Sequence, residues 1–336
     1  MRFAWLLAAA VAWAQWTPQT SNTTASLRGV MAVSETVAWA SGTQGTYLRT
    51  IDGGKIWQAK QVPGAETLDF RDLHAFDANR AVLMSVGPGP ASRIYRTGDG
   101  GEHWTLLLRN AEPKGFFDAI AFWDARRGIV VGDAVNGRMY AATTTDGGTT
   151  WIPVEPSRMP PSREGEGAFA ASGTCVFVRS GGLAWMATGG TGGSRVFRSA
   201  DWGKSWQVSE TPLRHEDASA GIFSIAFRDS RHGVVVGGNY AKPGEDRDNV
   251  AFTTDGGKTW TAPAHRPRGF RSAAAYVPGG AEVIAAGTTG IDSSQDNGQS
   301  WKPLSDGNFN ALSFATPKVA WAVGPKGAIA KLSAGR

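Results

Sequence analysis

Six times the chain repeats one short signature: Thr or Ser, any residue, Asp, Gly-Gly or a near variant, two residues, and Trp. The copies are TIDGGKIW (50–57), TGDGGEHW (97–104), TTDGGTTW (144–151), SADWGKSW (199–206), TTDGGKTW (253–260) and SQDNGQSW (294–301). Their aspartates, Asp52, Asp99, Asp146, Asp201, Asp255 and Asp296, recur every 41 to 55 residues. A period of that length marks one supersecondary unit stacked around or along an axis.

Each copy reads as a tight β-hairpin. Asp hydrogen-bonds backbone amides a few residues on, and Gly accepts positive φ without steric penalty. The Trp brings a large apolar area to the start of the next strand. Two further strand-like runs precede each hairpin, such as LRGVMAV (27–33) with VAWASG (37–42), FFDAIAF (116–122) with GIVVGD (128–133), and IFSIAF (222–227) with GVVVGG (233–238). Four short antiparallel strands per repeat make a propeller blade. After Trp301 the chain supplies FNALSF (309–314), VAWAVG (319–324) and GAIAKL (327–332), three strands of a seventh unit, and no further hairpin. Trp16-Thr17-Pro18 is the expected donor of the missing outer strand. The expectation is an all-β, seven-bladed propeller of four-stranded antiparallel blades, its last blade closed by the N-terminal strand. Closure also removes exposed sheet edges.

The repeat spreads one domain over residues 15–336. Residues 1–14 carry Arg2, an apolar run and Ala12-Trp13-Ala14, the pattern of a signal peptide, so the expected location is secreted or periplasmic. The apolar run is shorter than the about 20 residues a membrane helix needs, and no other stretch qualifies. Cys175, the one cysteine, sits in the apolar run GTCVFV and reads as a buried thiol. The net charge of +5 is scattered, without the basic runs of a nucleic-acid binder. The five histidines are dispersed, and neither metal nor cofactor is expected. A monomer is the expected state.

Six equivalent aspartates at one radius of a ring cannot converge on one ligand, so the six signature aspartates read as turn caps. The opposite face carries the irregular segments 152–167, 210–221, 237–249 and 87–93, where a scaffold places function. Alignment of the innermost strands puts Arg28, Arg71, Phe117, Glu166, Ile222, Arg271 and Phe309 in one column. The next column is Gly29, Asp72, Asp118, Gly167, Phe223, Ser272 and Asn310. Candidate ligand-binding residues at the channel mouth are therefore Arg28, Arg71, Arg271, Asp72, Asp118 and Glu166, the arginines suiting a carboxylate or phosphate. Inter-blade ion pairing is the competing role. Asp72, Asp118 and Glu166 are the only candidates for catalysis.

The signature resembles the Asp-box, or BNR, repeat. The unit LRGVMAVSETVAWASGTQGTYLRTIDGGKIW resembles the blades of the photosystem II assembly and stability factor family, and NALSFATPKVAWAVGPKGAIA resembles the same unit without its last hairpin. The resemblance implies seven blades, a lumenal location, and action by binding a membrane-protein partner rather than by catalysis. FFDAIAFWDARRGIVVGDAVNGR and EGEGAFAASGTC are more elaborate than that family's plain blades and imply a different subgroup. Similar repeats occur in sialidases, whose arginine triad Arg28, Arg71 and Arg271 could mimic, with Asp72 or Asp118 as the acid and Tyr276 as a late-blade tyrosine. The Phe-Arg-Ile-Pro segment of those enzymes is absent, since Phe70-Arg71-Asp72-Leu73 lacks the proline, and sialidases have six blades. The expectation is an exported, non-catalytic binding or assembly scaffold for a protein or glycan partner on the loop-rich face. The alternative is a sialidase-like glycoside hydrolase acting at the channel mouth.

Overall fold

The computed structural model describes residues 15–333; the expected signal peptide, residues 1–14, lies outside them. Seven antiparallel sheets follow one another around an axis. From inner to outer strand, blade 1 is Leu27–Ala32, Ala38–Gly42, Thr46–Thr50 and Gln58–Gln61. Blade 2 is Asp69–Ala75, Ala81–Val86, Arg93–Thr97 and Thr105–Arg109. Blade 3 is Phe117–Phe122, Gly128–Val135, Arg138–Thr144 and Ile152–Pro153. Blade 4 is Val176–Arg179, Leu183–Ala187, Arg195–Ser199 and Gln207–Glu210.

Blade 5 keeps three strands, Ala220–Phe227, Gly233–Asn239 and Val250–Thr253. Its fourth is reduced to one bridge, with the Phe252 and Thr261 amides each donating to the other's carbonyl at 2.9 Å. Pro263 and Pro267 follow, and a residue without N–H cannot extend the ladder. Blade 6 is Ala273–Tyr276, Val283–Gly287, Gly290–Ser294 and Lys302–Ser305. Blade 7 is Ala311–Thr316, Val319–Val323 and Ile329–Ser333, with Gln15–Gln19 outermost. The expected closure is present: Trp16 pairs with Leu332, Thr17 with Lys331 and Pro18 with Ala330.

The core lies in seven seams, one between each pair of neighbouring blades. Successive side chains of a strand point to opposite faces, and here both faces are covered. In blade 3, Val130 therefore packs toward blade 2 with Met84 and Ile94, while Ile129 and Val131 pack toward blade 4 with Met186 and Phe197. Val235 and its neighbours Val234 and Val236 divide in the same way between blades 4 and 6. That two-sided burial explains why second strands such as GIVV and GVVV are continuously apolar rather than alternating.

The signature tryptophans seal these seams. Trp57 of blade 1 meets Trp321 of blade 7 edge-on, with ring centroids 6.5 Å apart, and both are buried. Their indole N–H groups donate to one acceptor, Gln19 Oε1, at 2.9 and 3.1 Å. Trp104 of blade 2 packs edge-on against Trp39 of blade 1 in the same way. Trp321→Ala should lower unfolding free energy by roughly 3–5 kcal/mol, the usual loss for an aromatic removed from a closed core. Denaturant unfolding of variant and parent measures it.

Candidate binding cavity at the channel mouth

The six signature hairpins share one local geometry. In TTDGGTTW, Thr144 Oγ1 donates to Asp146 Oδ1 at 2.8 Å and accepts the Gly148 amide at 2.9 Å. Asp146 Oδ1 also accepts the Thr150 amide (2.9 Å), and Oδ2 accepts the Thr150 hydroxyl (2.6 Å). Asp52, Asp99, Asp201, Asp255 and Asp296 accept the amide four residues on in the same way. The Thr150 hydroxyl and amide hold the Asp146 carboxyl down at about 2, against an ordinary 3.8. All six carboxylates are occupied within their own turns, on the face away from the irregular loops.

That other face carries a cavity of about 690 Å³ at the mouth of the channel. Its walls come from the first residues of the inner strands and from the loops beyond the second strands, and Arg28, Arg71 and Asp118 all line it. These three share one structural position. Each is the extra residue of a β-bulge, lying between the paired positions Leu27 and Gly29, Phe70 and Asp72, or Phe117 and Ala119. Phe223 occupies the same bulge in blade 5, between Ile222 and Ser224. The bulge turns a residue that strict alternation would send into a seam toward the axis. The expected columns, which set Arg28 and Arg71 beside Phe117 and Ile222, were thus one residue out of step.

Segment 168–174 forms the floor. The inner strand of blade 4 begins at Val176, not at Glu166, and the residues between cross the axis. The Ala168 amide donates to Asp133 Oδ1 of blade 3 at 3.0 Å, and the Ala170 carbonyl accepts Arg71 of blade 2 at 3.2 Å. Ser172 Oγ donates to the Ser272 carbonyl just ahead of the blade 6 strand at 2.7 Å. Phe169 stacks on Phe223 of blade 5, ring centroids 3.9 Å apart. Gly173, at φ +74°, lies so close to the Asp72 carboxylate that a Cβ there would clash with Oδ1. Only glycine fits that crossing.

Charge in the cavity is unevenly settled. Arg71 donates through Nε to Asp69 Oδ2 at 2.7 Å, but Arg28 Nε is buried without a partner. Burial, then the like charge of Arg71, lowers the Arg28 guanidinium from its ordinary value, with Asp69 opposing. Across the cavity, Asp118 is 1% exposed and its Oδ2 meets no hydrogen-bond donor. Burial, reinforced by the charge of Asp133, pushes the Asp118 carboxyl well above the carboxylate range, against the pull of Arg71. Asp133 is itself raised by burial. Phe116, Phe169, Phe223, Tyr240 and Phe270 supply an aromatic side to the same cavity.

The remaining expected site residues are elsewhere. Arg271 is fully buried and donates to Asp292 Oδ2, 2.7 Å from Nε, within blade 6. Glu166 is buried against Arg195, with Arg195 Nε 2.9 Å from Oε1 and the Thr188 hydroxyl at 2.7 Å. Asp72 faces away from the cavity and accepts the Leu73 amide (2.7 Å) and the Ile120 amide of blade 3 (2.6 Å). Arg28, Arg71 and Arg271 therefore form no triad; Asp72 ties blade 2 to blade 3, and Glu166 is spent on Arg195 and Thr188 of blade 4. Asp133 and Tyr240 were missed in sequence because one lies near the end of the blade 3 second strand and the other just past that of blade 5, outside the inner-strand columns.

The fold and this cavity define a closed seven-bladed propeller with a floored pocket on its loop-rich face. No protein-family model matches the chain. Its sequence is 25% identical over 290 residues to the photosystem II assembly protein Ycf48 of Thermosynechococcus vestitus, a match spanning 71% of this chain and 72% of that protein. Among solved structures, YCF48 bound to a D1 peptide superposes with a TM-score of 0.61 at 20% identity, covering 95% of this chain and 96% of that one. YCF48 from Cyanidioschyzon merolae gives 0.65 at 18% identity, covering 95% and 99%. U3-55K gives 0.68 at 10% identity, covering 95% and 98%, so the superpositions speak to fold alone. The chain is a propeller resembling the photosystem II assembly factors.

Asp146→Ala tests the turn geometry. Its carboxyl is depressed on folding, so its contribution is complete above the ordinary carboxylate range and is lost as pH falls through about 2. At pH 7 the substitution should cost about 1 kcal/mol, the usual worth of an exposed capping carboxylate. Unfolding titrations at pH 7 and pH 2.5 should show that difference shrinking with acidity.

Proposed function

We propose that the chain is an exported, non-catalytic scaffold that binds a protein partner through its loop-rich face. The observation that carries this reading is the channel-mouth cavity, where Arg28 and Arg71 stand beside an aromatic wall. Arginine with aromatic anchors in a desolvated pocket is the composition of an interface hot spot. The likeness to Ycf48, an assembly protein by name, and the D1 peptide bound in one YCF48 structure support a polypeptide as partner. Residues 1–14, with their apolar run, support export.

Around the cavity the loops are stiffened rather than loose. Arg214 is buried and bridges Glu216 and Glu245, joining segment 210–221 to segment 237–249. Tyr240 donates its amide to Ser219. A preorganised surface of this kind loses little entropy on binding. The hydrolase alternative loses its arginine triad, because Arg271 is committed to Asp292.

Cross-linking in the cell, followed by mass spectrometry, tests the proposal. Cross-linkers placed at the loop face, at Lys242, should capture a polypeptide partner, and the Arg28→Ala/Arg71→Ala pair should reduce capture about tenfold, as loss of charged hot-spot contacts does. Capture that is equal from Lys55 on the hairpin face, or turnover of glycosides by the purified chain, would overturn it. N-terminal sequencing of the protein from the envelope fraction should begin near residue 15.

A further inference from the structure

Two ionisable groups, one basic and one acidic, each keep an unpartnered atom in one cavity. Arg28 Nε, on blade 1, and Asp118 Oδ2, on blade 3, are both buried and both without a hydrogen-bond partner among the described residues. They do not serve each other: the cation that acts on Asp118 is Arg71, and the groups that act on Arg28 are Arg71 and Asp69. Buried polar atoms are nearly always paired, so an orphan that lines a cavity points to something that binds there. A simple anion would satisfy Arg28 and leave Asp118, while a simple cation would do the reverse.

A third wall is apolar. Phe223 of blade 5 is 3% exposed and meets Tyr240 edge-on at 6.0 Å, while Tyr240 itself is 55% exposed at the rim. The volume of about 690 Å³ falls within the range of small-ligand pockets, and segment 168–174 prevents a chain from threading through.

We propose that this cavity binds a small zwitterion, an amino acid or dipeptide with an aromatic side chain. Its carboxylate lies against Arg28 and Arg71, its ammonium against Asp118 and Asp133, and its ring against Phe223 and Tyr240. Guanidinium pairs hold carboxylates in a fork, and a carboxylate pair holds an ammonium, so each end is recognised by its own chemistry. Nothing in this requires the partner-binding reading, and either can fail alone.

Binding also moves a proton. The groups facing Asp118 are Asp133, Arg71, the Ala170 amide and the Cys175 thiol, which is itself raised by burial. Burial and the charge of Asp133 push the Asp118 carboxyl well above the carboxylate range. An arriving ammonium favours the ionised form, so it draws that raised carboxyl back down and drives any proton it holds into solvent.

Isothermal titration of the purified chain with L-phenylalanine and with the dipeptide Phe-Phe tests the proposal, run in two buffers of different ionisation enthalpy. At least one of them should bind, with net proton release to the buffer. The N-acetyl and the C-terminal amide forms of that ligand should each bind about tenfold more weakly, the usual loss for one charged hydrogen-bonded contact. Asp118→Asn should abolish proton release while retaining the parent melting temperature, and Arg28→Met should remove the preference for the free carboxylate. Equal binding of the N-acetyl form would leave only a carboxylate site and overturn the proposal. So would the absence of binding by either ligand at millimolar concentration.

Discussion

Everything in this molecule depends on blades packing face to face in a closed ring. Each sheet is too small to bury its own surface, and each supplies half of two hydrophobic seams. The seventh seam decides whether the other six persist. It joins Leu27, Leu48 and Trp57 of blade 1 to Trp321, Val323 and Ile329 of blade 7. Hydrogen bonds lock it: Asn310 Nδ2 donates to the Leu27 carbonyl at 2.8 Å, and Ser313 Oγ accepts the Ala32 amide at 3.1 Å. The N-terminal strand then covers the outer edge of blade 7 and leaves Gln19 between two indoles. Residues hundreds of positions apart in sequence thus fix one another, and the ring gains stability from a contact no single repeat contains.

Closure leaves a hole, and the filling of that hole determines the site. Inner strands of a seven-membered ring cannot meet at the axis, so their bulged residues face a space too wide for ordinary packing. In blades 1, 2, 3 and 5 the bulge presents Arg28, Arg71, Asp118 and Phe223 to that space. Blade 4 departs from the repeat, delaying its inner strand to Val176 and spending the freed residues on a crossing segment. Small residues dominate that segment, Ala168, Ala170, Ala171, Ser172 and Gly173, because it threads between charged groups and must expose its backbone to them. A channel becomes a pocket through one blade's irregularity.

The fold was legible because the repeat states it six times, and because the second strands show the continuous apolar runs of two-sided burial. Closure by Trp16 was legible by counting strands. The site was only partly so. A β-bulge changes register without changing composition, so Leu27-Arg28-Gly29 and Phe117-Asp118-Ala119 looked offset when they are equivalent. EGEGAFAASGTC stood out as irregular, but its path across the axis depends on partners in blades 2, 3, 5 and 6 that no local pattern names.

Charge was the least legible property. Arg28, Arg71 and Arg271 look alike in sequence, yet Arg271 has Asp292 two strands away in its own blade, Arg71 has Asp69 two residues away, and Arg28 has neither. The same holds for the acids: Glu166 is consumed by Arg195, Asp72 by two backbone amides, and Asp118 keeps an oxygen free. Pairing within a blade removes a charge from function because a buried ion pair with its remaining hydrogen bonds met has no further demand on a ligand. A binding group in a repeat protein is therefore found by subtraction: the repeat's own ion pairs and turn caps are assigned first, and function falls to the charges the architecture leaves unpaired.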